Sequence, residues 1–294
     1  MQDKALKVIY IKQVATSFFW GGMYVAGRVV VAAVPVMSAG FLRFLIAGGI
    51  LSVLWFNGKN RVLPAGKQWL PLFLLAFTGI FLYSFFFFNG MQTVSAGRAA
   101  IIITTNPTFT AILARIIFKE PMPLRKIIGI TLAGAGAFYV VSHGQPLDLF
   151  NDAISRGDLF LFGGALSWTA YSLCNKLVRD LSAVTTITFS CLIGCLMLAP
   201  FALHEGILTN IKNYTWQSWA ALLHIGVCCT VLSFVWFNQG IRYLGAQRAS
   251  LFINLVPGIT VVMGALFLGE AITPDIVVGV LTVCFGIFLA NAQA

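Results

Sequence analysis

Two stretches of this 294-residue sequence align without gaps at an offset of 150 residues: AGRAAIIITTNPTFTAILARIIFKE at residues 96–120 and AQRASLFINLVPGITVVMGALFLGE at residues 246–270. Ten positions between residues 96 and 138 are identical to the positions 150 residues further along. The identities include an arginine, a proline and a glutamate, which are rare inside such apolar segments. In the first copy they are Ala96, Arg98, Ala99, Ile103, Pro107, Thr110, Glu120, Gly129, Gly136 and Phe138. The alignment therefore predicts an internal duplication.

The composition places both copies in a lipid bilayer. The chain is 59% hydrophobic and 10% charged, whereas about 25% of the residues of a soluble domain are charged. A transmembrane helix needs about 20 apolar residues, and runs without the alternation of a barrel strand predict helices. Ten segments qualify, at roughly residues 8–27, 37–56, 69–89, 97–118, 124–142, 157–178, 184–203, 217–239, 247–268 and 275–292. We therefore predict an all-α integral membrane protein with ten transmembrane helices.

The duplication gives five spans to each half, with a first repeat at residues 1–143, a polar linker at 144–156 and a second repeat at 157–294. Trp20 and Trp168 fall near equivalent places in the first helix of each half. Because five is an odd number, the second half enters the membrane from the opposite side. Such inverted-topology repeats give secondary transporters two near-equivalent states, each open to one side, around a central cavity. A receptor or a structural protein has no comparable need for them.

Basic residues predict the orientation of the chain in the membrane. With the N-terminus inside, fourteen of the 19 Lys and Arg residues fall in inner loops and flanks, four fall in outer ones, and Arg43 lies within the second span. This distribution satisfies the positive-inside rule. We therefore predict a multi-pass protein of the cell (inner) membrane with both termini in the cytoplasm.

Several function classes have no support in the sequence. The six cysteines lie inside apolar runs without CxxC spacing, which favours packing over disulfides or a metal site. No HExxH, GxSxG or Walker A pattern occurs, so we expect neither catalytic residues nor ATP-driven transport. The net charge of +10 is attributed to topology and lipid headgroups, not to nucleic acid. The expected partners are a small-molecule substrate and membrane lipids, without a cofactor or metal, and the expected form is a monomer.

Several short motifs resemble those of a known transporter family. They are Trp20-Gly21-Gly22-Met23-Tyr24-Val25-Ala26-Gly27, Arg43 in the second helix, Asn106-Pro107, Pro257-Gly258 and Leu268-Gly269-Glu270. Together with ten spans, they make the whole chain similar to the EamA-type ten-helix branch of the drug/metabolite transporter (DMT) superfamily. The resemblance implies efflux of small metabolites, often amino acids, through a central cavity, but fold membership does not name a substrate.

The repeat and the resemblance together predict a secondary transporter that exports amino acids or related solutes by alternating access. The alternative is an importer of a nucleobase, a cofactor or a drug-like solute. Cavity charge discriminates among the candidate substrates, because a carrier of polyanions should gather several basic residues at depth. In this sequence Arg43 is the only basic residue that clearly lies at depth.

Two prolines at matched positions point to a substrate site. Pro107 and Pro257 are repeat equivalents in the fourth and ninth helices. Proline removes a helical hydrogen bond, and the neighbouring polar residues are Thr105 and Asn106 in one helix and Asn254 in the other. Paired interruptions of this kind mark the binding sites of transporters. A simple packing kink is the alternative.

Aromatic and polar side chains share one face of the first and sixth helices. Trp20 and Tyr24 are four residues apart, and Trp168, Tyr171 and Asn175 follow helical spacing along one stripe. Such a stripe suits a cavity for an amphipathic metabolite, although it also suits an aromatic belt at the membrane surface. We take all five as candidate substrate contacts.

Few ionisable groups lie inside the spans. Arg43 is a candidate partner for a substrate carboxylate, with bonding to backbone carbonyls or snorkelling as alternatives. His224 is the only candidate for proton coupling, and no Asp or Glu lies near the middle of a span. Facilitated or weakly coupled movement of zwitterionic or neutral solutes is therefore favoured. Tyr83 completes the candidate contacts, and Gly21 and Gly22 are candidate hinge residues together with the two prolines.

The inverted topology predicts the outcome of a labelling experiment. Single cysteines are placed in the 57–67 and 145–155 loops of a cysteine-free variant and exposed to a membrane-impermeant maleimide. The two loops should react from opposite faces of the membrane, because an odd number of spans separates them. Reaction from the same face would contradict the inverted repeat.

Overall fold

The computed structural model describes residues 2–58, 62–119, 122–144, 154–178, 181–244, 249 and 252–291. In this part of the chain all regular structure is helical, and we divide the long segments into α1 to α10. Their bounds are α1 Gln2–Val31, α2 Val36–Phe56, α3 Gly66–Met91, α4a Ala96–Ile103, α4b Asn106–Phe118, α5 Leu124–Val141, α6 Arg156–Cys174, α7 Ala183–His204, α8 Trp216–Ile241, α9 Leu255–Leu268 and α10 Pro274–Asn291. Short helical turns lie between them at Asn175–Val178, Ile207–Asn210 and Ile211–Asn213.

The prediction of an all-α membrane protein is confirmed. Seven helices of the described chain, α1 to α5, α7 and α8, are long and apolar enough to cross a membrane. The 19-residue α6 starts at Arg156 and has the buried Asp158 in its first turn, and α9 has only 14 residues because it begins after the turn at Asn254. The count of ten spans therefore stays a prediction. Most of the predicted linker, residues 145–153, lies outside the described residues.

The fourth span is broken near its middle. α4a ends at Ile103, α4b begins at Asn106, and Thr104 and Thr105 form the turn between them. The Thr104 hydroxyl donates to a carbonyl of the preceding helical turn at 2.5 Å, and the Thr105 hydroxyl does the same at 2.6 Å. The same two carbonyls also accept the backbone N–H groups of Thr104 and Thr105. The polar groups of the turn are therefore hydrogen-bonded within α4, as an apolar membrane interior requires.

A matching break occurs in the second half, where Asn254 forms a turn before α9. The expected interruption of both helices is therefore present. In each helix it precedes the proline, since Pro107 and Pro257 lie in the first turn of α4b and α9. Proline is tolerated there because the N–H groups of the first turn have no partner within the helix.

Helix contacts occur in pairs that relate the two halves. α1 packs on α8 and α9, and α6 packs on α3 and on α4a and α4b. α2 packs on α7, and α5 packs on α10. This is the set of contacts that a two-fold relation between helices 1–5 and helices 6–10 produces. The helices of one half therefore bury their faces against those of the other.

Glycines allow α5 and α10 to approach at backbone distance. A side chain at Gly129 would meet the backbone of Ala290, and one at Gly286 would meet the backbone of Ala133. Small residues at such positions drive helix association in lipid, where apolar burial alone gives little advantage. Gly134, on the same helix as Gly129, faces open space.

These contacts predict different effects for two alanine substitutions on α5. Gly129→Ala should destabilise the protein by about 1–3 kcal/mol, because an added methyl group overpacks the helix interface. Gly134→Ala should be neutral or stabilising by up to about 1 kcal/mol, because alanine is the better helix former. Thermal unfolding of the two variants in detergent measures the difference. Equal melting temperatures would contradict this account of the α5–α10 interface.

Candidate functional site

A cavity of about 710 Å³ lies between the two halves. Most of the helices contribute to its wall, and the residues combine aromatic rings with hydroxyl and amide groups. They include Trp20, Tyr24, Arg43, Tyr83, Thr104, Asn106, Pro107, Thr110, Lys126, Trp168, Tyr171, Ser172, Asn175, Thr186, Phe234, Phe237 and Asn238. The volume falls within the range of small-molecule binding sites, which combine apolar walls with a few polar groups.

Aromatic rings form a connected chain along the wall. Trp20 contacts Phe234 with ring centroids 6.0 Å apart, Phe234 contacts Trp168 at 6.1 Å, and Trp168 contacts Tyr83 at 5.3 Å. Tyr83 then stacks on Phe87 at 5.6 Å. These distances are typical of favourable aromatic pairs. Because each ring packs against the next, the wall presents a preformed apolar surface.

Two π-helical segments hold the aromatic residues in place. Residues 77–82 of α3 and 224–232 of α8 have the wider π-helical winding, at nearly matched positions of the repeat. The second segment leaves the Cys229 carbonyl available, and the Trp20 indole N–H donates to it at 3.0 Å. In the first segment, Gly79 packs directly against the ring of Tyr171. π-Helical turns occur frequently at functional sites, and these two lie behind the cavity wall.

Arg43 forms the deep end of the cavity. Its side chain is 3% exposed, and Nε donates to the Thr230 hydroxyl at a long 3.3 Å. The guanidinium carbon lies 4.8 Å from the ring centroid of Phe44. Nη1 is buried and has no hydrogen-bond partner among the described residues. Arg43 therefore presents to the cavity a buried positive charge with N–H donors that are available to a ligand.

The mouth of the cavity lies at one end of the bundle. Lys126 in the first turn of α5, the exposed Asn175 after α6 and the exposed Ala183 at the start of α7 line it. The positive-inside rule predicts that this end of the bundle faces the cytoplasm. Lys126 and Arg43 are the only charged side chains among the described lining residues.

Carboxylates close the opposite end. Glu205 accepts hydrogen bonds from the backbone N–H groups of Met37 and Ser38 at the start of α2, at 3.0 and 2.7 Å. Glu270 accepts two at the start of α4a, from Ala96 at 2.7 Å and from Gly97 at 3.3 Å. Negative charge at a helix N-terminus satisfies orphan donors and the helix dipole. Each carboxylate ties the start of a helix to the other half of the protein.

A buried ion pair joins α4a to α6 at the same end. Arg98 donates to both oxygens of Asp158, at 2.8 and 2.7 Å, and to the carbonyls of Val140 and Val141. Asp158 also accepts hydrogen bonds from the N–H and hydroxyl of Ser155. Bidentate pairs with their remaining groups satisfied are the strong ones. The structure is therefore open at one end and closed by specific polar contacts at the other.

Most of the candidate substrate contacts come together in this cavity. Trp20, Tyr24, Arg43, Tyr83, Asn106, Trp168, Tyr171 and Asn175 all line it, as does the candidate hinge residue Pro107. Three candidates do not line it: Thr105 is buried in the α4 break, His224 approaches the Phe19 carbonyl at 3.3 Å, and Asn254 lies elsewhere.

Asn254 corrects the expectation of one shared site at the two helix breaks. It lines a separate apolar groove with Phe18, Leu255 and Val262, and its Oδ1 is buried without a partner among the described residues. The position of a helix break along the sequence does not determine which face of the helix the residue occupies, and here that face points away from the central cavity.

The candidate hinge glycines lie in tight helix contacts. Gly21 packs on Ile259 of α9 and its carbonyl accepts a hydrogen bond from Thr260 at 3.1 Å. Gly22 packs on His224. Pro257 is buried in the first turn of α9. Hinge motion at these positions stays a prediction.

Sequence reasoning missed one wall of the cavity. Phe234, Phe237, Asn238 and Ile241 of α8 line it at positions i, i+3, i+4 and i+7. This is the helical stripe that singled out Trp168 on α6, so the signal was present in the sequence. Lys126 at the mouth and the π-helical segments were also missed, and no local pattern marks the latter.

The closed end generates a stability prediction. Asp158→Asn leaves Arg98 buried with a neutral partner, and breaking one side of a buried ion pair costs about 3–5 kcal/mol. Arg156→Gln, an exposed charge two residues earlier on α6, should change stability by less than about 0.5 kcal/mol. Thermal unfolding in detergent compares the two. Similar melting temperatures would show that the ion pair contributes little.

A family model described as the EamA-like transporter family matches residues 7–142 and 155–292. An uncharacterized transporter of Bacillus subtilis, YyaM, is 31% identical over 285 residues, which cover 96% of this chain and 93% of the relative. An uncharacterized transporter of Archaeoglobus fulgidus is 27% identical, with 95% of each chain covered. A WAT1-related protein of Arabidopsis thaliana is 29% identical, with 81% of this chain and 72% of the relative covered.

A solved crystal structure has the same fold. It superposes with a TM-score of 0.68 at 16% identity, covering 98% of this chain and 99% of its own.

Proposed function

We propose that this chain, which belongs to the EamA-like transporter family of the DMT superfamily, exports amino acids or related small metabolites by alternating access. The single observation that carries the proposal is the central cavity, which lies between the halves and opens at one end. Family and relatives identify a multi-pass membrane transporter with a small-molecule substrate. The substrate, the direction of transport and the inner-membrane location are our proposal.

The lining supports small organic solutes as cargo. Aromatic rings, hydroxyl groups and amides surround a volume of about 710 Å³, which suits a molecule with a flat apolar part and a polar end. We propose that the lining candidates contact it, with Trp20 and Trp168 on its apolar part and Asn106 and Asn175 on polar groups. His224 lies outside the lining, which supports facilitated or weakly coupled movement.

Polar contacts at the closed end support alternating access. Two of these contacts are helix caps, by Glu205 and Glu270, and each joins the two halves. The third is the Arg98–Asp158 ion pair, which joins α4a to α6. We propose that they open while the mouth beside Lys126 closes, so that one site faces each side in turn. With the mouth on the predicted cytoplasmic side, the state described here would receive cargo for export.

Reconstitution into proteoliposomes tests the proposal. Uptake of a radiolabelled panel of amino acids and their 2-oxo and deaminated relatives is measured with and without a proton gradient. We expect saturable uptake of one class that does not require the gradient. Trp168→Leu should reduce that uptake at least tenfold, because it removes the central ring of the aromatic chain.

Trp216→Leu is the matched control, because Trp216 is 74% exposed at the start of α8. It should leave uptake unchanged. Equal uptake by Trp168→Leu and the unmodified protein would contradict the assigned site. Absence of saturable uptake for the whole panel would contradict amino-acid-related transport and favour a nucleobase, cofactor or drug-like solute.

A further inference from the structure

We infer that the cavity selects organic monocarboxylates with an aromatic or other apolar body, bound through Arg43, over the corresponding amino acids and amines. The inference rests on the proposed function, and within its class of amino acids and related metabolites it selects the relatives that carry a carboxylate but no amine. Three observations carry it: the open donor capacity of Arg43, the absence of carboxylates from the described lining, and the aromatic chain beside the guanidinium.

Arg98 and Arg43 are both buried, and they differ in how many of their N–H donors are hydrogen-bonded to described residues. Arg98 bonds to both oxygens of Asp158 and to two backbone carbonyls. Arg43 has a single long hydrogen bond, to Thr230, and a buried Nη1 without a partner in the described chain. A guanidinium carries five N–H donors in a planar fork that matches a carboxylate. Arg98 therefore has a structural role, whereas Arg43 is equipped to bind an anion from the cavity.

A buried charge without a counter-charge is costly inside a membrane. Arg43 lies seven residues into α2, which corresponds to a depth of about 10 Å from the closed end. Tyr24 and Tyr83 line the cavity beside it, but neither is an anion at neutral pH. A substrate carboxylate would supply two hydrogen bonds and a negative charge that none of the described lining residues provides.

The same electrostatics disfavour a substrate ammonium. The charged side chains among the described lining residues, Arg43 and Lys126, are both positive. Three acids at the closed end are engaged, since Asp158 pairs with Arg98 and the two glutamates cap helices. An amino acid would bring a second positive charge within a few ångströms of the guanidinium, where repulsion in a low-dielectric site is strong. A monocarboxylate without the amine avoids this repulsion.

The aromatic chain specifies the rest of the molecule. Trp168 lies 5.3 Å from Tyr83 and 5.0 Å from Tyr171 between ring centroids, and Tyr83 and Arg43 line the same cavity. An apolar ring one or two methylene groups from the carboxylate would lie against these residues. Aromatic faces also attract ammonium groups, so the preference between the two charges requires a direct comparison.

Three compounds with the same phenylethyl body make that comparison. They are 3-phenylpropanoate, which carries only the carboxylate, phenylalanine, which carries both groups, and 2-phenylethylamine, which carries only the amine. Their binding to the full chain in nanodiscs is measured by calorimetry. We expect 3-phenylpropanoate to bind at least tenfold more tightly than phenylalanine, and 2-phenylethylamine to bind most weakly.

Arg43 variants test the assigned contact. Arg43→Gln should abolish the preference for the carboxylate, and Arg43→Lys should weaken 3-phenylpropanoate about tenfold because a point charge replaces the bidentate fork. Thermal unfolding should show no loss of stability in Arg43→Gln, since a purely structural arginine would leave a destabilised protein with the same ligand order. Lys212→Gln, at an exposed position before α8, is the matched control and should leave all three affinities unchanged.

The outcomes separate this inference from the proposed function. Binding of phenylalanine or 2-phenylethylamine equal to or tighter than that of 3-phenylpropanoate, lost in Trp168→Leu, would overturn the charge preference and leave the transport site intact. Unchanged binding of 3-phenylpropanoate in Arg43→Gln would overturn the Arg43 contact. No binding of any of the three compounds would overturn the inference, and uptake of the wider panel would then decide the proposed function separately.

Discussion

Backbone hydrogen bonding in lipid is the constraint on which the rest of this structure depends. No water is available in the bilayer core, so each interruption of a helix must find an internal partner or line a cavity. α4 breaks at Thr104 and Thr105, whose hydroxyls bond to carbonyls of the preceding turn. In the π-helical segment of α8, the Cys229 carbonyl accepts a hydrogen bond from the Trp20 indole N–H. These irregular segments lie around one central cavity, where their polar groups can be satisfied.

Those segments determine both the shape of the cavity and the positions of the side chains that line it. Thr230, within the π-helical segment of α8, accepts the one hydrogen bond that fixes Arg43. Gly79, in the π-helical segment of α3, provides the space for Tyr171. Paired helix contacts between the halves, from α5–α10 at one side to α2–α7 at the other, hold these parts in register. One end can then be closed by carboxylates while the other remains open.

The sequence predicted the class of protein and much of the cavity for physical reasons. Apolar length identifies membrane helices, the 150-residue offset predicts the repeat, and helical spacing placed Trp168 and Tyr171 on one face. Asn254 was misplaced because a turn can direct a side chain to either face of a helix. The π-helical segments were missed because their extra residue per turn has no local sequence signature, and the Phe234 stripe was visible but overlooked among many phenylalanines.

The central claim is that substrate occupies the cavity between the halves, and photo-crosslinking tests it most directly. A diazirine on the ring of 3-phenylpropanoate is activated after binding to the full chain in nanodiscs, and the modified peptides are identified by mass spectrometry. The account predicts labels on the α1 and α6 peptides that contain Trp20 and Trp168, reduced by excess unlabelled compound. Competable labelling confined to α9 and α10, along the apolar groove beside Asn254, would contradict it.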